Sequence, residues 1–276
     1  MSGEMMLSDY HIHSRVSPDA RDSMTDMAEA SFKAGVSRLC FTDHVDLDMH
    51  STGKPDPSCF SGWPEMLEQY RDAREALPYS DIRLGIEFGE FNHDTDAAAE
   101  IAGTGELDFI LGSLHNLRDT ADFYSMPYTD AAQCGMLYER YLDELIEMAD
   151  MPYFDVMAHI GYPVRYMLNA GFDIKPEISF FGDRLELLLR KLISAGKGIE
   201  CNCSGYRSAG IRGPIPSPDI LKMYRRLGGE IVTVGTDAHR TADAGVKLRE
   251  GYDLLKHLGF RYITGFSGRK PEFTAI

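Results

Sequence analysis

Seven short apolar runs, rich in β-branched and aromatic residues and closing on polar ones, alternate with helical stretches along nearly the whole chain. They read LSDYHIH (7–13), RLCFTDH (38–44), IRLGIEF (82–88), DFILGSLH (108–115), YFDVMAH (153–159), KGIECNC (197–203) and EIVTVGTDAH (230–239). A strand, a turn and a helix that returns the chain for the next strand build a largely parallel α/β sheet. The intervening stretches supply the helices. Ser23 is placed to cap a helix that Gly35 ends, and Tyr138, Tyr141, Leu142, Leu145 and Met148 form one helical face. Leu185, Leu188, Leu189, Leu192 and Ile193 form another, closed by Gly196, and Ser217 with Pro218 opens a further helix. The alternation is expected to continue to the end of the chain, over a single domain spanning 1–276.

With 43% hydrophobic and 26% charged residues, the chain can bury a sizeable core. A net charge of −15 and no dense Lys/Arg run disfavour nucleic acid as a partner. The first ten residues lack a basic segment followed by an apolar one, and no run approaches the roughly 20 apolar residues of a membrane span. Five cysteines, an odd number without a paired framework, fit a reducing compartment, so the expected location is cytoplasmic. Oligomeric state is not legible. Three Gly-, Pro-, Asp- and Ser-rich excursions, roughly 45–62, 116–130 and 203–217, follow strand ends and are expected to carry the site.

Six of the nine histidines sit at the polar ends of those runs. His11 and His13 are spaced by two, so both side chains point to one face and can grip one ion. Alone, such a pair reads more readily as an ordinary polar strand end. His44, His115, His159 and the Asp237/His239 pair repeat the placement, and Glu87 and Asp19 add carboxylates. Taken singly, Glu87 reads as a solvated strand end and Asp19 as a turn former beside Pro18. Where parallel strands close into a barrel, their C-terminal ends meet at one rim, so nine such residues together point to a multinuclear metal site. His50 and His93 lie in segments after strands where a substrate could be touched, and His257 lies in a helical pattern. Cys201 and Cys203 share a strand face and read as packing.

The motifs HIHS with SPDA, FTDH, GIEFG, GSLH, MAHIGYPVRY, ECNCSG and GTDAHR resemble, in this order and over nearly the entire chain, the histidinol-phosphatases of the PHP superfamily. The resemblance implies a distorted (β/α)7 barrel, three divalent metal ions (Zn, Mn or Fe), and hydrolysis of L-histidinol phosphate in histidine biosynthesis. By the same resemblance the first ion takes His11, His13, Glu87 and Asp237, the second Asp19, His44 and His239, and the third Glu87, His115 and His159. SPDA places the chain in the branch with aspartate, rather than histidine, at position 19. Arg165 and Arg207 match phosphate-contacting positions, and a guanidinium suits phosphoryl oxygens in bidentate fashion. A metal-bridging water is the expected nucleophile, with the general acid unassigned. Gly161 stands where many relatives carry an acidic residue, a departure that bears on the substrate pocket. The alternatives are a PHP phosphoesterase for another small phosphate ester or a nucleotide, and a noncatalytic metal-binding module.

Overall fold

A computed structural model describes residues 6–48, 62–104, 106–174 and 177–276. Seven strands, β1 (Leu7–Asp9), β2 (Val36–Asp46), β3 (Asp81–Gly89), β4 (Phe109–Ser113), β5 (Val156–Met157), β6 (Gly198–Asn202) and β7 (Val232–Gly235), lie in sequence order, every neighbouring pair parallel. The ring is completed by backbone hydrogen bonds beyond β1: Tyr10 N–H donates to Val234, Asp237 N–H to His11, and His13 N–H to Ala238. Ile12 and Ala238 form a parallel bridge. The result is the expected (β/α)7 barrel.

Helices α1 (Met24–Lys33), α2 (Trp63–Ala76), α3 (Thr95–Ala102), α4 (Ala131–Ala149), α5 (Tyr162–Asn169), α6 (Glu177–Ser194), α7 (Pro218–Arg226) and α8 (Leu248–His257) occupy the connections. Their limits follow from local chemistry. The Ser23 hydroxyl accepts from Asp26 N–H, satisfying one otherwise unpaired donor of the first turn of α1. The expected stripe of α4 is buried from Tyr138 to Met148, and Leu185, Leu188, Leu189 and Leu192 of α6 are buried with it. Among the described residues no helix is long and apolar enough to cross a membrane.

Two expectations are corrected. β1, β4, β5 and β7 end at Asp9, Ser113, Met157 and Gly235, so His11, His13, His115, His159, Asp237 and His239 follow their strands rather than close them, and β5 spans only two residues. The first and fifth segments nonetheless stay hydrogen-bonded to their neighbours past the strand ends, Thr42 N–H donating to Ile12 and Ala158 N–H to Gly112. The alternation also stops before the end of the chain: β8 (Tyr262–Ser267) and β9 (Lys270–Ala275) form an antiparallel hairpin. Its two turn residues, Gly268 and Arg269, both have positive φ, as a type I′ turn requires. The hairpin seals the end of the barrel opposite the histidines. Phe266 packs on Tyr10 and Phe109, and its N–H donates to the Tyr10 hydroxyl at 2.9 Å. Arg269 pairs with Asp155 at 2.6 Å, and Gly268 N–H reaches Asp108 at 2.9 Å; these aspartates precede β5 and β4.

Candidate metal centre

Glu87 is the hub. In β3 it is the register partner of His44 in β2, and its carboxylate is almost fully buried. One oxygen, Oε2, lies 3.1 Å from His11 Nε2, 3.4 Å from His13 Nε2 and 3.3 Å from His44 Nδ1. The other, Oε1, lies 3.1 Å from His115 Nε2 and 2.9 Å from His159 Nε2. Five imidazoles from four segments thus share one carboxylate. Burial alone would raise the pKa of Glu87, but the imidazoles of His11, His44 and His115 outweigh it and hold the group well below the usual carboxylate range.

The rings are turned inward by partners behind them. His11 Nδ1 bonds Glu200 at 2.7 Å, and His13 Nδ1 bonds Ser17 Oγ at 3.0 Å; the Ser17 hydroxyl in turn donates to Asp43 at 2.7 Å. Each arrangement leaves Nε2 facing the cluster, the orientation that carboxylate and hydroxyl partners impose on metal-binding imidazoles. Glu200 also accepts His159 N–H at 2.8 Å, coupling the β5 and β6 ends. Burial, reinforced by His239 and His44, pushes His13 down to about 3, so at neutral pH it offers a lone pair rather than a charge.

Asp237 has a φ of 54°, a left-handed conformation that aspartate tolerates better than most residues. Its Oδ2 accepts from Asn202 at 3.2 Å and Ser204 at 3.0 Å. That leaves Oδ1 turned to the cluster, 3.6 Å from each of His11 Nε2, His13 Nε2 and His239 Nδ1. Beside this turn, a Cβ on Gly235 would stand 2.3 Å from His11 Cβ, so the close approach of β7 to His11 admits only glycine. Asp19, more than half exposed, reaches His239 Nε2 at 3.1 Å and His44 Nε2 at 3.8 Å. All nine expected donor residues therefore meet at one rim.

Those spacings fit a bound cation. Ligand atoms each about 2.0–2.1 Å from a tetrahedral ion lie roughly 3.3 Å apart. Among the described residues, four donor sets have ligand atoms within 4.8 Å of one another: His13/His44/His239, His11/Glu87/His159, His11/His13/Asp237 and His44/Asp46/His115. Imidazole with carboxylate suits divalent zinc, manganese or iron better than calcium.

Asp46 in the last set was not expected from the sequence. It lies 3.5 Å from His44 Nδ1 and 3.4 Å from His115 Nδ1. The spacing-of-two rule that singles out His11/His13 and Asp237/His239 applies equally to His44 and Asp46. Glu200 and Asn202 share that spacing of two and were also passed over, while Glu90, whose carboxylate accepts His115 N–H at 2.6 Å, carries no such pattern. It emerges only when the barrel closes.

The two arginines differ. Arg165, in the first turns of α5, lines a cavity of about 280 Å³ together with His44, Glu87, His115, His159, Asp237 and His239. Its Nη2 donates to the Ser204 hydroxyl. Arg207 does not line that cavity; its Nη atoms donate at 2.9 Å to the carbonyls of Thr236 and Asp237. The expectation that it faces phosphate thus meets a guanidinium engaged in holding the Asp237 turn. His93 is likewise outside the cavity, buried between Asp48 at 3.1 Å and Glu144 at 3.0 Å. His257 is exposed at the end of α8, Cys201 and Cys203 belong to the core, and His50 lies outside the described residues. Gly161, with φ of 110°, starts α5; a side chain there would strain the backbone and bring its Cβ to 3.3 Å from Glu177.

The PHP domain family matches residues 9–204. A histidinol-phosphatase of Lactococcus lactis is 25% identical over 274 residues, covering 96% of this chain and 96% of its own length. A probable histidinol-phosphatase of Thermotoga maritima is 26% identical over 261 residues, covering 92% and 94%. Among solved structures, a crystal structure of histidinol phosphate phosphatase from Lactococcus lactis complexed with zinc, L-histidinol and phosphate has the same fold. Its TM-score is 0.77 at 21% identity, over 98% of this chain and 100% of that one.

Proposed function

The chain belongs to the PHP domain family, and from that premise we propose that it is a metal-dependent phosphatase hydrolysing L-histidinol phosphate to L-histidinol and phosphate. The observation that carries this reading is a single cavity in which the Glu87 cluster and Arg165 face the same space. Around it, His11, His13, Glu87 and Asp237 would hold one divalent ion, Asp19, His44 and His239 a second, and Glu87, His115 and His159 a third, of zinc, manganese or iron. Bound there, such ions would supply positive charge to the phosphoryl group and would lower the pKa of bound water from 15.7 toward about 7.

The protein's own residues do the rest. Glu87 uses both oxygens, which fixes the spacing of two donor sets. Asp237 is held by Asn202 and Ser204 on one oxygen and presents the other. Arg165 provides charge for the phosphoryl group as it passes between the oxygens of water and alcohol. Water oxygen bonds to phosphorus, the bond from phosphorus to the alkyl oxygen breaks, and the alcohol leaves with a proton. Arg207 fixes the backbone from which Asp237 and His239 project. The substrate is a small phosphorylated molecule, and the buried free thiols of Cys40, Cys134, Cys201 and Cys203 support placing the enzyme in the reducing cytoplasm.

Metal analysis before and after chelation, with steady-state kinetics on L-histidinol phosphate, sugar phosphates and nucleotides, tests the proposal. The expected result is metal-dependent turnover with the highest kcat/KM on L-histidinol phosphate. Full turnover by a demonstrably metal-free protein overturns the chemistry. A clear preference for another ester overturns the substrate while leaving the chemistry standing.

A further inference from the structure

The cavity has a second wall that the phosphoryl chemistry does not use. Besides the donor residues and Arg165, it is lined by Pro18, Asp122, Tyr162 and Tyr166. Asp122 comes from the loop between β4 and α4, and the two tyrosines from α5. Tyr166 donates to the Tyr162 hydroxyl at 3.0 Å, and Tyr162 donates to Asp122 Oδ1 at 3.4 Å. Tyr124 N–H also donates to that oxygen, at 2.7 Å, so these bonds fall on Oδ1 and Oδ2 retains capacity for a ligand. Among the described residues no Lys or Arg forms an ion pair with Asp122.

An aspartate in a cavity that receives a phosphate dianion is electrostatically wrong for the phosphoryl end. It opposes binding unless the other end of the substrate is positive. Arg165 Cζ stands 6.0 Å from the centroids of both tyrosine rings, so those faces are engaged by its guanidinium and Asp122 Oδ2 is the group that can hold an ammonium or imidazolium. A sugar would need hydroxyl partners spread around its ring, and a nucleotide would bring further negative charge toward Asp122. We propose that Asp122, backed by Tyr162 and Tyr166, is the specificity-determining wall of the site, and that it selects phosphate esters whose alcohol carries a positive charge. This rests on the phosphatase reading above and deepens it by assigning recognition of the substrate's cationic end to the Asp122 carboxylate.

The test compares O-phosphoethanolamine with 2-hydroxyethyl phosphate, which replaces the ammonium by a neutral hydroxyl of similar size, in the metal-loaded wild type and Asp122→Asn. Asparagine keeps an oxygen to accept Tyr124 N–H, so the loop is retained and only the charge is lost. The wild type should prefer the ammonium ester by about 10- to 100-fold in kcat/KM, mainly through KM, and D122N should erase the preference, losing far more on the ammonium ester than on the neutral one. Calorimetric binding of L-histidinol alone should weaken by a similar factor in D122N. Indifference of the wild type to the ammonium, an equal loss on both esters, or unchanged L-histidinol binding in D122N each overturns the inference. If the wild type hydrolyses no ester, the phosphatase reading falls and the calorimetric comparison still decides the role of Asp122. If cationic esters are preferred but L-histidinol phosphate is not the best of them, the inference stands and the substrate is revised.

Discussion

Glu87 is the residue on which the rim depends, because each of its oxygens serves a different set of imidazoles. Glu87→Gln preserves shape but replaces one oxygen by an amide that can only donate and removes the charge that opposes the imidazoles. We expect kcat/KM to fall by at least about 10³-fold, with loss of bound metal measurable by plasma mass spectrometry; wild-type metal content and turnover together would refute the hub role. Asp9, beneath the rim, behaves differently. Burial outweighs its bonds from Thr236 and His11 and holds it up to about 6, against an ordinary value of 3.8. The folded state therefore binds this proton more tightly than the unfolded chain, so the contribution to stability is complete below about 4 and lost as pH rises through 6. In metal-stripped protein, the unfolding free energy of wild type relative to Asp9→Asn should accordingly rise as pH falls from 7 to 4. A pH-independent difference between the two proteins would show that Asp9 is not the titrating group.

The barrel strands and the closing hairpin stand at different distances from the chemistry, and a mutation separates them. Phe266 of β8 is buried against Tyr10 and Phe109 at the end of the barrel remote from the cluster. Phe266→Ala should cost about 3–5 kcal/mol through lost burial and the cavity left behind, read as a lower urea midpoint, while KM on the preferred substrate changes little. A large KM effect with unchanged stability would mean that the two ends are coupled. This hairpin also marks where the sequence was misread. Tyr262–Ser267 and Lys270–Ala275 carry strand-forming residues around a Ser-Gly-Arg-Lys turn, a hairpin signal that the βα rhythm of the preceding seven units overrides. The seven parallel strands were legible because buried strands repeat the same apolar run with the same polar ending. The convergence of the nine candidate residues was legible because parallel strands place those endings on one rim. Asp46 was readable from its spacing to His44 and was missed. The direction of the Arg207 guanidinium was not readable, since it depends on where the β7 turn leaves the carbonyls of Thr236 and Asp237.

For the whole molecule, the burial of so many ionisable groups in one rim makes stability depend on what neutralises them. In the absence of a cation, imidazoles do so as protons: despite the opposing cost of burial, Asp46 and Glu87 push His44 up to about 10 and raise His115 well above its ordinary value. His11 is raised likewise by Glu200, Glu87 and Asp237, which outweigh its burial. A divalent ion needs the same nitrogens deprotonated, so binding at pH 7 must expel protons, and affinity must fall as pH falls. Only the folded chain assembles this rim, so each ion at a thousandfold excess over its Kd adds about 4 kcal/mol of stability, or a Tm higher by roughly 10 °C in a chain of this size. Chelation should therefore lower Tm by at least that much, with the far-UV circular-dichroism spectrum retained below the transition. Calorimetric titration of zinc into stripped protein, repeated in buffers of different ionisation enthalpy, should report release of more than one proton per protein at pH 7. Metal uptake without proton release would mean that the imidazoles of His11, His44 and His115 are not where the ions bind, and the assignment of the rim as the metal centre would fail with it.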